Sequence, residues 1–491
     1  MSEKKIINIV WLKRDLRLTD HLPLYNAIQK QEDFIILYIY EPLLMRDVHY
    51  DERHWRFIQQ SLSDIQDELQ SHKKELTIAF GEAAEIFNIL IDRYCIKSIF
   101  SHEETGLKIT YSRDSEISLL FKKHYITWRE YSTNAVIRGL TNRNNWEKHW
   151  NNVMREPIEK INLIEARILH HDFSLQKLPI ILEKKNYQKG GFKSAGFELK
   201  SFFIDRGSEY FKNISKPEKS RYTCSRLSPY ISYGNISIRE IYKALLNSWD
   251  KPGWRRSMKA FSSRLHWHCH FIQKFESEIT IENEPVNSGY KNFPYLVIDK
   301  SHSNFQLWAH GKTGYPIADA SMRALQSTGY LNFRMRAMLV SLACHYYLIH
   351  WKLVAEHLAT LFLDFEPGIH YPQIQMQAGV TGINTIRIYN PMKQALEHDV
   401  DALFIKKWVE ELRGYDPGYI LNLPSKNYDL FSQPESHYPQ PLYDFQERVK
   451  KTKDLLWQWK KSNEVKKSNL KILSKHVKVR KNSRTQLRRT I

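Results

Sequence analysis

Two short, strongly apolar runs near the start of the chain, Ile6–Leu12 and Phe34–Tyr40, limit the fold more than any other feature. A strand that is apolar on both sides needs cover on both faces, which is the situation of a parallel sheet held between helices. Leu22, Leu24, Ala27 and Ile28 between the runs suit a short helix. Trp55, Ile58, Leu62, Ile65 and Leu69 then recur at helical spacing and mark one apolar face. Further strand-like runs at 76–80, 99–102 and 126–128 alternate with helical stretches. Repeated βα units predict a doubly wound parallel-sheet domain over 1–135. No G-x-G-x-x-G follows the first strand, which argues against a nicotinamide-dependent dehydrogenase.

The pattern changes along the chain. Residues 136–189 are polar and irregular and read as a connection. From Gly190-Gly191 the periodicity is helical almost to Leu412, with Pro316 suited to open a helix and Gly329 to close it. This predicts an all-α domain over 190–430. The remainder, 431–491, is a basic extension: twelve Lys and Arg face only Glu464 from residue 460 onward, and a solvated tail is the expectation there. The whole chain carries a net charge of +19, which favours a polyanionic partner, nucleic acid before an anionic membrane surface.

The four cysteines, Cys95, Cys224, Cys269 and Cys344, are far apart and form no C-x-x-C, so neither a disulfide framework nor a zinc site is expected. His266 and His270 share a helix face while His268 points away; with no second ligand group these read as core or cavity histidines, and no metal is expected. Met1-Ser2-Glu3-Lys4-Lys5 runs straight into a strand pattern, and the apolar stretch 338–347 is broken by Ser341 and His345. A monomer in a reducing cytoplasm, with no membrane span, is the expectation.

Several segments in order resemble the photolyase/cryptochrome family. Trp11-Leu12-Lys13-Arg14-Asp15-Leu16-Arg17-Leu18-Thr19-Asp20 is similar to its signature after the first strand. Gly190-Gly191, Ala195, Phe202, Arg206 and Tyr210 follow the pattern that opens its helical domain. Ser225-Arg226-Leu227-Ser228-Pro229-Tyr230 resembles its phosphate-binding turn. Gly311-Lys312-Thr313-Gly314-Tyr315-Pro316, with Asp319-Ala320 and Met322-Arg323, is close to its most characteristic run. Arg334, Arg336, Asp364, Tyr389-Asn390-Pro391 and Trp408 complete the series.

The resemblance implies non-covalently bound FAD. Tyr210, Ser225, Arg226, Leu227, Ser228, Arg334, Arg336, Asp364 and Glu366 would bind it, and Arg206 would line the same cavity. An Arg336–Asp364 pair would hold a cation near an anionic flavin; a structural ion pair alone is the plainer reading, and the two are compatible. The N-terminal sheet would carry an antenna chromophore whose identity the sequence does not give. His21 stands where the family commonly has Asn.

For activity, the resemblance implies blue-light splitting of cyclobutane pyrimidine dimers in UV-damaged DNA, with Trp267 stacking on the flipped lesion, or stacking in the core instead. Arg264 stands where the dimer-repairing members have a Glu. The segment 367–373 replaces their usual Asn-containing loop. Of the expected three-Trp electron chain, Trp351 matches the middle member, while Gln375 and Ile298 fall near the other two. No His occurs at 331–334, against a (6-4) lesion. A cryptochrome-type photoreceptor using the same FAD is the alternative reading, and a flavin-carrying nucleic-acid-binding protein without photochemistry is a third.

Overall fold

The computed structural model describes residues 4–170, 186–425 and 437–476. Its first part is a five-stranded parallel sheet: β1 (Ile6–Leu12), β2 (Phe34–Tyr40), β3 (Thr77–Phe80), β4 (Cys95–His102) and β5 (Thr127–Tyr131). The order is β3-β2-β1-β4-β5, so the winding reverses between β1 and β4. The two runs that led the sequence argument are the two central apolar strands, with Val10 paired to Ile36 on one side and Phe100 on the other. Every residue of β2 is buried, whereas the edge strand β5 is half exposed.

Helices α1 (Leu22–Gln29), α2 (Glu52–Ser71) and α3 (Lys108–Lys123) belong to this layer. Asp51 and His54 close a capping box that starts α2, and Trp55, Ile58, Leu62, Ile65 and Leu69 form its buried stripe. His21 has a local explanation: its Nδ1 accepts from the Leu24 amide at 3.1 Å and caps α1. Its Nε2 lies 2.9 Å from Asp15, which also meets His102 at 2.7 Å. Among the described residues this trio is the one group of three potential metal-binding side chains.

The connection is more structured than its composition suggests. It carries α4 (Trp146–Val153), whose Trp146 and Trp150 are buried, and Phe34 of β2 pairs with Ile168. Asn-rich composition hid a one-sided i, i+4 aromatic pair. The helical part follows, with α5 (Arg255–Ser277), α6 (Pro316–Thr328), α7 (Phe333–Ser341), α8 (Trp351–Leu361) and α9 (Pro367–Gln377). Pro316 occupies the first turn of α6, and Gly329 caps it in the left-handed region at φ 67°. A Cβ on Gly329 would meet that of Leu363 at 2.8 Å, so this turn needs glycine twice over. Gly368 lets α9 lie directly on Ile272 of α5, where a Cβ would come within 2.9 Å of the Ile272 Cα. Trp308, Trp351, Tyr346, Tyr347 and Tyr371 fill the core.

The basic extension is not a solvated tail through residue 476. It forms α10 (Phe445–Lys460) and α11 (Asn463–His476), which bury Leu456, Val465, Ile472 and His476. Trp459 donates to the Gly289 carbonyl at 2.9 Å, and Asn287 to that of Val465 at 3.1 Å. Val465, Ser468 and Ile472 make a buried stripe while Lys466, Lys467 and Lys471 face outward, which is why net charge alone misled. Basic residues 478–489 of the tail lie outside the described residues. No described helix is long and apolar enough to cross a membrane. Leu456→Ala is expected to lower stability by about 2–5 kcal/mol, read by urea denaturation; an unchanged midpoint would mean that α10 is not part of the cooperative fold.

Candidate functional site

Helix α5 supplies the first wall of the site. Arg264, Trp267, His270 and Phe271 border a cavity of about 610 Å³ closed by Phe333 and Arg334 of α7, Met376 and Gln377 of α9, and the 383–389 loop. Trp267 is 47% exposed, and the Arg264 guanidinium lies over its ring at 4.5 Å. The two residues are three apart on a helix and so share a face. No carboxylate lines the cavity among the described residues, whereas Arg264, Arg334 and Arg387 do. Cations beside aromatic faces suit a ligand that is both planar and anionic.

Behind this wall, Arg336 grips Asp364 with two parallel bonds of 3.0 and 2.8 Å and donates to the Leu331 carbonyl at 2.6 Å. Burial alone would raise the Asp364 carboxyl, but the Arg336 charge and the Arg336 and Ser228 hydrogen bonds hold it below the usual carboxylate range. The turn 225–228 is therefore fastened to this pair. Arg226 adopts φ 62° and places its guanidinium 3.5 Å from the Tyr330 ring centre. Leu227 is buried, and its amide reaches the Ser225 hydroxyl at 3.4 Å. Arg206 anchors the approach to the turn through Glu198 at 2.6 Å and the Cys224 carbonyl at 2.5 Å.

Tyr210 is buried among Phe202 and Phe261, with its hydroxyl hydrogen-bonded to Arg264; burial pushes that hydroxyl up. Glu366 is buried 3.3 Å from Arg14, and burial raises its carboxyl against that cation. Trp267, Arg264 and Arg334 thus share one cavity, joined to Tyr210 through Arg264. Arg336, Asp364, Ser228 and the 225–228 turn form a connected second group. Trp351 belongs to neither: it is buried in the helical core, edge-on to Tyr371 with ring centres 6.5 Å apart. Gln375 is a structural post, donating to the Ile281 and Glu284 carbonyls at 2.9 Å and accepting from Val286 at 2.6 Å.

Sequence reasoning missed Arg14 as a site residue. It also missed Phe333 and Arg387, which line the cavity from segments with no distinctive spacing.

Two family models match the chain, that of the FAD binding domain of DNA photolyase over residues 261–458 and that of DNA photolyase over residues 8–149. The chain belongs to the photolyase/cryptochrome family. It is 25% identical over 495 residues to a deoxyribodipyrimidine photo-lyase of Buchnera aphidicola, covering 92% of this chain and 97% of that protein. It is 24% identical over 431 residues to a cryptochrome DASH of Idiomarina loihiensis, covering 82% and 92%. The archaeal photolyase from Sulfolobus tokodaii, solved with two FAD molecules, superposes with a TM-score of 0.76 at 25% identity, over 92% of this chain and all of that one. A Synechocystis cryptochrome superposes with a TM-score of 0.81 at 20% identity, over 93% and 100%, which speaks to the fold.

The residues present fit the flavin dinucleotide that this family binds. Arg14 Nη1, Arg226 Nη1 and Arg334 Nε are buried without a protein partner. Orphan guanidinium donors of this kind are costly unless an anionic group meets them. The crevice where the sheet winding reverses is different. Arg113 there pairs with Glu41, Glu104 and Asp114 at 2.6–2.9 Å, and Lys13 with Asp114 at 3.2 Å. Two small spaces of about 40 Å³ border this network.

Because the Asp364 pKa is depressed in the fold, its stabilisation is present above the ordinary carboxylate pKa and disappears as pH falls through the folded value. Asp364→Asn should therefore cost about 3 kcal/mol near pH 7 by leaving Arg336 unpaired. The gap to the parent chain should narrow below about pH 4, followed by denaturant titration across pH; a gap independent of pH would contradict the ion-pair account.

Proposed function

We propose that this chain is a FAD-dependent, blue-light-driven lyase that splits cyclobutane pyrimidine dimers in UV-damaged DNA. The observation that carries the reading is the half-exposed Trp267 beneath Arg264, on the wall of a cavity rich in arginine and free of carboxylates. A dimer must leave the base stack to reach any buried reactant, and an exposed indole offers the flipped bases a face to stack on. Arg264 donates to base carbonyls or a phosphate, replacing the acceptor role of a carboxylate with a donor role. Arg387 at the open rim meets the backbone.

Bound there, reduced FAD would supply the one-electron redox chemistry that cyclobutane cleavage needs. The chain's own work is electrostatic. Arg336, held by Asp364, keeps a fixed positive charge beside the site, and the 225–228 turn with Arg226 receives the diphosphate. Glu366, kept from solvent and opposed by Arg14, is the acid beside the ring system.

A cryptochrome-type light sensor on the same flavin is the second reading. Arg264 in place of an acid favours it, and similar proteins named cryptochrome DASH accompany those named photo-lyase. The decisive test uses a defined thymine-dimer oligonucleotide, duplex and single-stranded, with FAD chemically reduced beforehand and a dark control. Light-dependent restoration of the thymines is expected; its absence with reduced FAD confirmed by spectrum would favour the sensor. Trp267→Ala should weaken binding of the lesion by about 1–3 kcal/mol while leaving undamaged duplex binding nearly unchanged, measured by fluorescence anisotropy. Equal loss for both DNAs would remove Trp267 from lesion recognition.

A further inference from the structure

We propose that Tyr371, His49 and Asp47 form a proton-coupled electron relay that feeds the flavin site in place of an all-tryptophan chain. The proposal rests on the flavin reading above and deepens it. Tyr371 is fully buried on α9, and its hydroxyl is hydrogen-bonded to Nε2 of His49, which arrives from the segment before α2, 322 residues away in sequence. His49 Nδ1 lies 2.5 Å from Asp47 Oδ1, which also accepts the His49 backbone amide at 3.0 Å. Asp47 thereby fixes the tautomer: Nδ1 carries the proton, and the Nε2 lone pair faces the phenol. The imidazole is stacked on Phe365 with ring planes 6° apart, so it cannot swing away from Tyr371 without breaking that packing.

The surroundings give the trio a direction. On the inner side the neighbouring residue His370 has its ring edge-on to Tyr371 and lies in the field of Arg336 and Asp364, the pair assigned to the flavin. On the other side Trp351 is edge-on at 6.5 Å, followed by His350 and the half-buried Tyr295. Gln375 cannot replace a redox-active ring, whereas Tyr371 can, provided its proton has somewhere to go. Oxidising a phenol in this dry core without a base would strand a cation. With the base present the step balances. One electron leaves Tyr371 for the light-excited oxidised isoalloxazine, the phenol O–H bond breaks, and the proton joins Nε2 of His49. Tyrosine is oxidised by one electron, the flavin is reduced by one, and the new imidazolium is neutralised by the Asp47 carboxylate. The Asp47 side chain is 17% exposed and so leads toward solvent.

The experiment illuminates and freezes FAD-loaded protein made with ring-deuterated tyrosine, and reads the radical by EPR. FAD content and thermal midpoint are recorded for each variant. A tyrosyl signal that narrows on deuteration is expected in the parent chain and absent in Tyr371→Phe, which keeps the ring and loses only the hydroxyl. His49→Gln, with Tyr371 intact, should lower the radical yield about tenfold or more, as for loss of a positioned base, and Asp47→Asn should lower it less. An unchanged tyrosyl signal in Tyr371→Phe, an unchanged yield in His49→Gln, or a tryptophanyl signal alone in the FAD-loaded parent overturns the relay while the flavin reading stands. A parent chain that takes up no FAD overturns both.

Discussion

The short segment from Leu361 to Glu366 holds the two halves of the molecule together, and the candidate site depends on it. Its carbonyls are taken one after another by side chains from elsewhere. Arg53 bonds to Leu361, His54 to Phe362, Ser232 to Asp364 and Arg14 to Phe365. Arg14, Arg53 and His54 come from the sheet layer, Ser232 from the turn beside the Arg336–Asp364 pair. A loop buried between domains must find partners for its backbone, and here those partners are two arginines, a histidine and a serine hydroxyl. Arg14 shows the economy: the same guanidinium bonds Ser232 and Phe365 and opposes Glu366, with Nη1 left free.

This arrangement explains why so many buried charges are tolerated. A buried guanidinium nitrogen without an acceptor is costly, and this chain keeps such nitrogens on Arg226 and Arg334 of the helical half and on Arg14 where the halves meet. In the sheet layer the opposite holds, since Lys13, Arg113, Glu41, Glu104 and Asp114 satisfy one another. The contrast is between unmet donors in the helical half and a crevice of the sheet whose charges are paired. The site is thus distinguished by unmet polarity more than by shape.

Much of the fold was legible because it follows from local periodicity. Both central strands matched to the residue, and the start and glycine end of α6 followed from proline and glycine chemistry. The pairing of Arg336 with Asp364 came only with the family resemblance, because 28 residues separate them and no pattern joins them. Links such as His49 to Tyr371 or Arg14 to Phe365 were invisible for the same reason, being fixed by how the halves dock. The helical extension was misjudged because net charge conceals a buried stripe built on Val465 and Ile472. Trp351 was read from its order in the family's series, and its separation from the cavity is a matter of packing that order cannot convey.

The account stands on the helical half holding FAD through the Arg336–Asp364 pair and the 225–228 turn. The most direct measurement is the flavin released on heating purified protein, after saturation with FAD and removal of the excess, from the parent chain and from Arg336→Met. The parent is predicted to release FAD in equimolar amount, and Arg336→Met, shown to be folded by circular dichroism, to release little. A flavin-free parent, or Arg336→Met that retains its full complement, would contradict the account.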